Sequence, residues 1–324
     1  MKILVLNDIG SKPLSITSSH IDKIKSLNSN IEVDLVSMDK KEEILAKAEA
    51  ADVIAGQPHL IPSIAKLKNL KWIQSFSAGA DAILTPEVVN SNLIVTNVSG
   101  IHATPIAEHV LGYILIFTKR FYDTFKKQQE KIWEANQDLT ELREKTVLVV
   151  GLGHIGTEIA RLANCFGANA VGVKHNLLKN RPDFVSEVYP IDHLDNILPK
   201  ADFVVLSLPL TPETKHLFDM KKFEKMKKSG VLINIGRGAL IKEDDLIEAL
   251  EQKIIAGAAL DVTEEEPLPK KSKLWEMENV VITPHHSGLS EKYMDRAIDL
   301  FCINLKAYIK GERLPNLVDK KRGY

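Results

Sequence analysis

Residues 147–156 read VLVVGLGHIG, and the rest of the chain is best understood outward from them. Val147, Leu148, Val149 and Val150 form a short apolar run of the kind that makes a buried strand, and Gly151, Gly153 and Gly156 follow it at once. Ile159, Leu162, Ala163 and Phe166 then recur at helical spacing until Gly167. G-x-G-x-x-G alone is weak, but between a strand and a helix of one βαβ unit it is the dinucleotide-binding fingerprint. Gly151 permits the tight turn, Gly153 lets backbone approach a pyrophosphate, and Gly156 allows close helix–strand packing. The helix N-terminus offers the phosphates free N–H groups and its positive dipole end. His154 reads as a turn residue rather than a catalyst. About twenty residues further on, the end of the second strand selects the cofactor, an acid there bonding the ribose 2′-hydroxyl of NAD. This chain has Lys174, His175 and Asn176 instead, a cation and hydrogen-bond donors without a repelling charge, which favours NADP and tolerates NAD.

On either side of this unit the same alternation continues. Downstream, strands are predicted at 146–150, 170–173, 187–189, 202–208, 230–235, 256–261 and 280–283. Upstream they are predicted at 2–6, 31–36, 52–55, 72–76 and 93–98, with helical spacing at 20–28, 42–50, 61–69 and 85–92 between them. Apolar strands alternating with helices imply parallel sheets covered on both faces. The fold class is therefore α/β, with two doubly wound parallel-sheet domains. The first has no glycine-rich turn, since Gly10 stands alone after its first strand, so it reads as a nucleotide-fold relative without a nucleotide site. Residues 102–134 are mostly helical in pattern, and 290–310 form one amphipathic helix whose return to the first half would make that domain discontinuous.

Composition narrows the function classes. With 324 residues the chain suits about two domains. Its 44% hydrophobic content excludes intrinsic disorder, and 42 basic against 43 acidic residues leave no electrostatic footprint for nucleic acid or an acidic membrane. Cys165 and Cys302 are too few for a disulfide framework or a structural zinc site, so a reducing, cytoplasmic location is expected. The apolar run in MKILVLNDIG is too short for a signal peptide, and no stretch approaches a membrane span of about 20 apolar residues.

Ligands of open α/β sheets bind outside the carboxyl ends of the strands. Three polar groups follow strands there: Arg237 between Gly236 and Gly238, the acids Glu264, Glu265 and Glu266 before Pro267, and His285 with His286 after Pro284. A guanidinium clamps a planar carboxylate through two parallel hydrogen bonds. A histidine exchanges a proton near neutral pH, and a carboxylate behind it favours the charged form. With a nicotinamide supplying hydride, these groups describe reversible oxidation of a 2-hydroxy acid without a metal.

At this point the chain resembles a family, the D-isomer-specific 2-hydroxyacid dehydrogenases, including their glyoxylate/hydroxypyruvate reductase-like members. The matching pieces, in the family's order, are WIQSFSAGAD (72–81), HATPIAEHVLG (102–112), VLVVGLGHIG, LSLPLTPET (206–214), INIGRGALI (233–241), ALDVTEEEPLP (259–269), TPHHSG (283–288) and the tail LVDKKRGY (317–324). The resemblance implies a flavodoxin-like catalytic domain made of residues 1–100 and 288–324, with a Rossmann cofactor domain, 101–287, inserted in it. It also implies a homodimer, with the helix after residue 100 at the interface. Arg237 would hold the substrate's carboxylate and carbonyl oxygen, and Glu266 would pair with His285, the acid/base. The family pattern puts its histidine first after Thr-Pro; geometry adds only that neighbours on extended backbone point to opposite sides. Asp261 would bond the nicotinamide amide. Thr104, His154, Ile155, Pro209, Thr214, Ile235, Gly236 and Ser287 would lie along the cofactor, and Ser77, Ala78, Gly79 and Ala80 would offer backbone N–H groups to the substrate carboxylate.

Two other activities are similar enough in scaffold to weigh. Formate dehydrogenases pair their histidine with glutamine, so Glu266 argues against that choice, whereas phosphite oxidation fits the same three residues. A cofactor-sensing corepressor-like binding protein would be expected to lose part of Arg237, Glu266 and His285, and all three remain. The expected partner is a small 2-keto or 2-hydroxy acid, whose identity the residues leave open.

Overall fold

Each apolar run read as a strand forms one. In the computed structural model, which describes residues 1–174, 181–321 and 323, the first sheet holds β1 (Lys2–Asn7), β2 (Glu32–Ser37), β3 (Val53–Gly56), β4 (Trp72–Ser75) and β5 (Ile94–Thr96). These pair in parallel in the order β2-β1-β3-β4-β5, the flavodoxin-like winding. The second sheet holds β6 (Thr146–Val150), β7 (Asn169–Val173), β8 (Glu187–Tyr189), β9 (Phe203–Leu206), β10 (Val231–Asn234), β11 (Gly257–Leu260) and β12 (Val280–Ile282). Its order, β12-β11-β10-β9-β6-β7-β8, is the dinucleotide-binding winding with one strand added beyond β11. Strand ends agree with the sequence reading to within two residues throughout.

The chain divides into two compact units, Met1–His102 with Leu289–Tyr324, and Ala103–Gly288. In the first, β3 and β4 are buried at every position. The helix Tyr293–Lys310 covers them with Ala297, Ile298, Phe301 and Leu305, and the Phe301 ring lies 5.4 Å from that of Trp72. Each such large apolar side chain contributes about 1.5–3 kcal/mol on burial. A buried polar chain runs through the same core. Trp72 Nε1 donates to Thr96 Oγ1 at 2.7 Å, Thr96 Oγ1 donates to Gln74 Oε1 at 2.8 Å, and Asn304 Nδ2 donates to that oxygen at 3.1 Å. These bonds offset the desolvation of Gln74, which is fully buried.

In the second unit the helix Ala103–Lys119 buries Ile106, Ala107, Val110, Leu111 and Ile114, a stripe at three- and four-residue steps. With Ile159, Ala160 and Ala163 of the helix His154–Cys165 it covers one face of the sheet. The other face carries the helix Glu243–Glu251 through Leu246, Ala249 and Leu250.

Two helical expectations shrink, that over 61–69 and that over 85–92, of which only Pro86–Val89 is helical. The predicted helix over 61–69 is only a single 3-10 turn, Ile64–Lys66, because Pro62 drives Ile61 toward extended backbone. The mostly helical pattern over 102–134 forms two helices, Ala103–Lys119 and Phe121–Gln129, with Arg120 between them in the left-handed region at φ 50°. No helix among the described residues is long and apolar enough to cross a membrane.

Candidate active site

All strands of the second sheet run parallel, so their C-terminal ends share one edge. After β6, Gly151 turns at φ +110° and donates its N–H to Val173 O at 2.9 Å. A side-chain carbon on Gly156 would lie 2.0 Å from Gly151 O, so the helix His154–Cys165 starts pressed onto that turn. Gly153 precedes this helix with φ −85° and ψ −162°, and a side-chain carbon there would meet nothing within 4 Å. Neither backbone shape nor protein packing demands glycine at that position. A pyrophosphate approaching the helix N-terminus does, and the turn therefore fits a dinucleotide. His154 is exposed and Ile155 half-buried in the first turn.

Lys174 leaves β7 half-buried, with its N–H bonded to Tyr189 O at 3.0 Å, whereas His175 and Asn176 lie outside the described residues. In the loop after β9, Thr214 Oγ1 donates to Pro209 O at 2.8 Å and closes the loop on itself. Thr104 is exposed at the start of the helix Ala103–Lys119.

After β10 come the buried Ile235, then Gly236 and Arg237. The fully buried Asn234 shapes this loop: its Oδ1 accepts from Gly236 N at 3.1 Å and its Nδ2 donates to Arg237 O at 2.9 Å. Gly238 must be glycine, because a side-chain carbon would sit 1.8 Å from Thr263 O. That approach presses the arginine loop against the segment leading to Glu266.

Glu266 Oε1 accepts from Thr263 N at 3.2 Å, and its Oε2 lies 2.7 Å from His285 Nδ1. Burial alone would raise the Glu266 pKa, but the hydrogen bond and charge of His285, the Thr263 N–H and the Arg237 charge together hold it below the usual carboxylate value. The bond to Glu266 raises the His285 pKa, with burial opposing it, the Glu266 and Asp261 charges adding to it and Arg237 opposing it. The His285 side chain is still 54% exposed, open for contact with a substrate.

The picture of extended backbone at the two histidines is also corrected. His285 adopts φ 50°, a left-handed conformation that costs a non-glycine residue about 1–2 kcal/mol. Its N–H is bonded to Asp261 O at 2.8 Å and to Thr283 O at 3.0 Å. Asp261 is buried, and its carboxylate accepts from His286 N at 3.0 Å, from Ser287 N and Oγ at 3.1 and 2.5 Å, and from Thr283 Oγ1 at 2.5 Å. Burial pushes this carboxyl up, but the Ser287, Thr283 and backbone hydrogen bonds outweigh it and keep it ionised. Four donors of its own chain thus meet this carboxylate, and through them it holds the histidine turn. His109, Asp261 and His286 bring ligand-type atoms within 4.8 Å of one another. The Asp261 oxygens are already engaged, and His109 Nε2 faces Thr283 Oγ1 at 3.2 Å. Sequence reasoning missed His109, Tyr113 and Thr283; the signal was the four-residue spacing of the first two in HATPIAEHVLGY and the threonine just before Pro284.

In the first unit, Ser77, Ala78, Gly79 and Ala80 follow β4. The carbonyls of Ser77, Ala78 and Ala80 accept from Val98 N, Asn97 Nδ2 and Ile83 N, at 3.2, 2.9 and 2.9 Å. The N–H groups of Ala78, Gly79 and Ala80 donate to no acceptor among the described residues.

Comparison with known proteins agrees with this geometry. Residues 111–287 match the family model of the D-isomer specific 2-hydroxyacid dehydrogenase NAD binding domain. The chain belongs to that family. A glyoxylate reductase of Thermofilum pendens is 38% identical over 261 residues, covering 78% of this chain and 76% of that protein. Among solved structures, a D-isomer specific 2-hydroxyacid dehydrogenase family protein of Aeromonas salmonicida is 30% identical with a TM-score of 0.86, covering 98% of this chain and 99% of that one. A family member from Xanthobacter autotrophicus, crystallised with NADPH and MES, is 27% identical with a TM-score of 0.82, covering 99% of each chain. The present chain is accordingly an NAD(P)-dependent D-2-hydroxyacid dehydrogenase.

Proposed function

We propose that this dehydrogenase works as a 2-keto acid reductase preferring NADPH, with Arg237, Glu266 and His285 as its reacting groups and NADH tolerated. The observation that carries the reading is the 2.7 Å pair of His285 Nδ1 and Glu266 Oε2 on the strand edge that also bears the glycine turn and Arg237. Bound at residues 151–156, the nicotinamide cofactor supplies the hydride. His285, held protonated by Glu266, gives its Nε2 proton to the oxygen on C2. Arg237 pairs with the substrate carboxylate and stabilises the charge developing on that same oxygen. The unused N–H groups of Ala78, Gly79 and Ala80 suit a carboxylate as well. In the oxidation direction the same histidine, neutral, accepts the proton.

Lys174 supports NADPH, because a cation at the end of β7 pairs with a 2′-phosphate, where an acid would repel it. Phe121, Tyr122 and Phe125 of the helix Phe121–Gln129, and Ile132 and the fully exposed Trp133 after it, are exposed apolar side chains. Such groups suit self-association, and we assign them to a homodimer. The two cysteines are unpaired, in keeping with a cytoplasmic enzyme.

Initial rates of NADPH and NADH oxidation, measured against glyoxylate, hydroxypyruvate, pyruvate, 2-ketoisocaproate and phenylpyruvate, test the proposal. Turnover is expected on at least one acid, faster with NADPH. Faster turnover with NADH would overturn the cofactor preference, and silence on every acid in protein shown to bind cofactor would overturn the reductase reading.

A further inference from the structure

We propose that Tyr113 and His109 are positioning residues, which hold the turn carrying His285 in its reactive shape through the Thr283 hydroxyl and the Asp261 carboxylate. The inference rests on reading His285 as the acid/base, and goes beyond it to what fixes that side chain. A left-handed histidine persists only where its surroundings over-determine it. Here three successive N–H groups, of His285, His286 and Ser287, all end on Asp261, the first on its carbonyl and the others on its carboxylate. The direction of that carboxylate therefore sets the turn.

The carboxylate is aimed in its turn by Thr283. An ionised carboxylate only accepts hydrogen bonds, so the single Thr283 hydroxyl proton goes to Asp261 Oδ1, at 2.5 Å. The hydroxyl's two remaining sites accept, and two groups meet them: Tyr113 Oη at 2.5 Å and His109 Nε2 at 3.2 Å. Burial pushes the Tyr113 hydroxyl well up and the His109 imidazole down. Tyr113 thus stays protonated, and neutral His109 carries its proton on Nε2. All the hydrogen-bonding capacity of Thr283 Oγ1 is used. His109 and Tyr113 are four residues apart on one face of the helix Ala103–Lys119, where they interrupt a stripe of Ile106, Val110, Leu111 and Ile114. Apolar side chains at both positions would pack that face without buried polar atoms. The polar pair instead links a rigid helix to the loop that needs aiming.

The charged and titratable groups around His285 are Glu266, Asp261 and Arg237, with His109 and His286 acting on Asp261. Loss of the Thr283 hydroxyl removes one of the four donors that aim the Asp261 carboxylate and lets Oδ1 shift against the other three, and the change reaches both the reach of His285 and its protonation. Thr283→Val keeps the side-chain shape without the hydroxyl, Tyr113→Phe removes only the phenolic oxygen, and Thr283→Ser restores the hydroxyl. In the full-length protein, Thr283→Val and Tyr113→Phe are expected to lower kcat about tenfold or more, since small misplacements of a reacting group are costly. The KM for NADPH should stay within about twofold, because the glycine turn is untouched. The high-pH limb of kcat/KM, and the His285 imidazole titration followed by NMR in the absence of turnover, should both move to lower pH. Thr283→Ser should return all three readouts to near wild type. Unchanged kcat and titration in both Thr283→Val and Tyr113→Phe, or a Thr283→Ser protein no better than Thr283→Val, would overturn the proposal. If Thr283→Val does not fold, Tyr113→Phe decides by the same readouts. An inactive His285→Ala enzyme beside unaffected Thr283→Val and Tyr113→Phe proteins would sink the positioning role alone. An active His285→Ala enzyme would sink the acid/base reading beneath it.

Discussion

His285→Ala is expected to lower kcat for 2-keto acid reduction by about 10²–10⁴-fold, the range a positioned proton donor supplies. The loss should fall on kcat more than on KM, because the proton moves only as the C2 oxygen gains charge. Cofactor binding should change little. The turn formed by Gly151, Gly153 and Gly156 is built by Val173 O and by the helix His154–Cys165, whereas the hydrogen bonds of His285 among the described residues go to Asp261, Thr283 and Glu266. The neighbouring His286 is a poor substitute, since its exposed ring stands edge-on to His109, with centroids 5.5 Å apart, and not against Glu266. Steady-state kinetics with a saturating keto acid, beside fluorescence titration with NADPH, separate the two quantities. Near-full turnover in the variant would remove His285 from the reaction.

Arg237→Ala is expected to cost about 10²–10³-fold in kcat/KM, comparable to removing a preorganised donor aimed at developing negative charge. The variant also loses the bond from Arg237 Nη1 to Gly236 O at 2.8 Å, but the loop keeps its other supports. Asn234 holds the loop through the backbone of Gly236 and Arg237, and the close approach of Gly238 to Thr263 involves no arginine side-chain atom. Arg237→Lys should recover only part of the loss, because an ammonium keeps the charge but not the two-pronged geometry that fits a carboxylate. A lysine variant with wild-type kcat/KM would show that charge alone suffices there. Arg237→Ala should also shift the His285 titration upward, since the guanidinium opposes protonation of that histidine.

Much of this architecture was legible because it depends on local patterns. Fully buried parallel strands read as mostly apolar runs, so β3, β9 and β10 stand out in the sequence, while β4 carries the buried polar Gln74 and Ser75. Strand ends were legible too, which is why Arg237, Glu266 and His285 could be set on one sheet edge in advance. Apolar spacing over 61–69 matches a helix, but Pro62 interrupts the backbone in a way that periodicity does not register, and the mostly helical pattern over 102–134 hides the left-handed Arg120 that divides it. In the site, Thr283 looks like an ordinary strand residue and Tyr113 like part of an apolar helix. Their hydrogen bonds join residues 170 positions apart, so only the fold brings them together. The left-handed His285 was equally hidden, because nothing in Thr-Pro-His-His specifies a positive φ.

The central claim is that Glu266 keeps His285 charged so that it can give up a proton. Reduction needs the protonated imidazole, so kcat/KM should be full below the His285 pKa and fall as pH rises through it. In the wild type this pKa is raised, first by the bond to Glu266. The most direct measurement is therefore the pH profile of keto acid reduction in the wild type and in Glu266→Gln, which keeps the shape of the side chain but not its charge. The expected result is a descending limb displaced to lower pH in the variant, because burial and Arg237 then act on His285 without opposition from Glu266. A limb at the same pH in both proteins would contradict the claim.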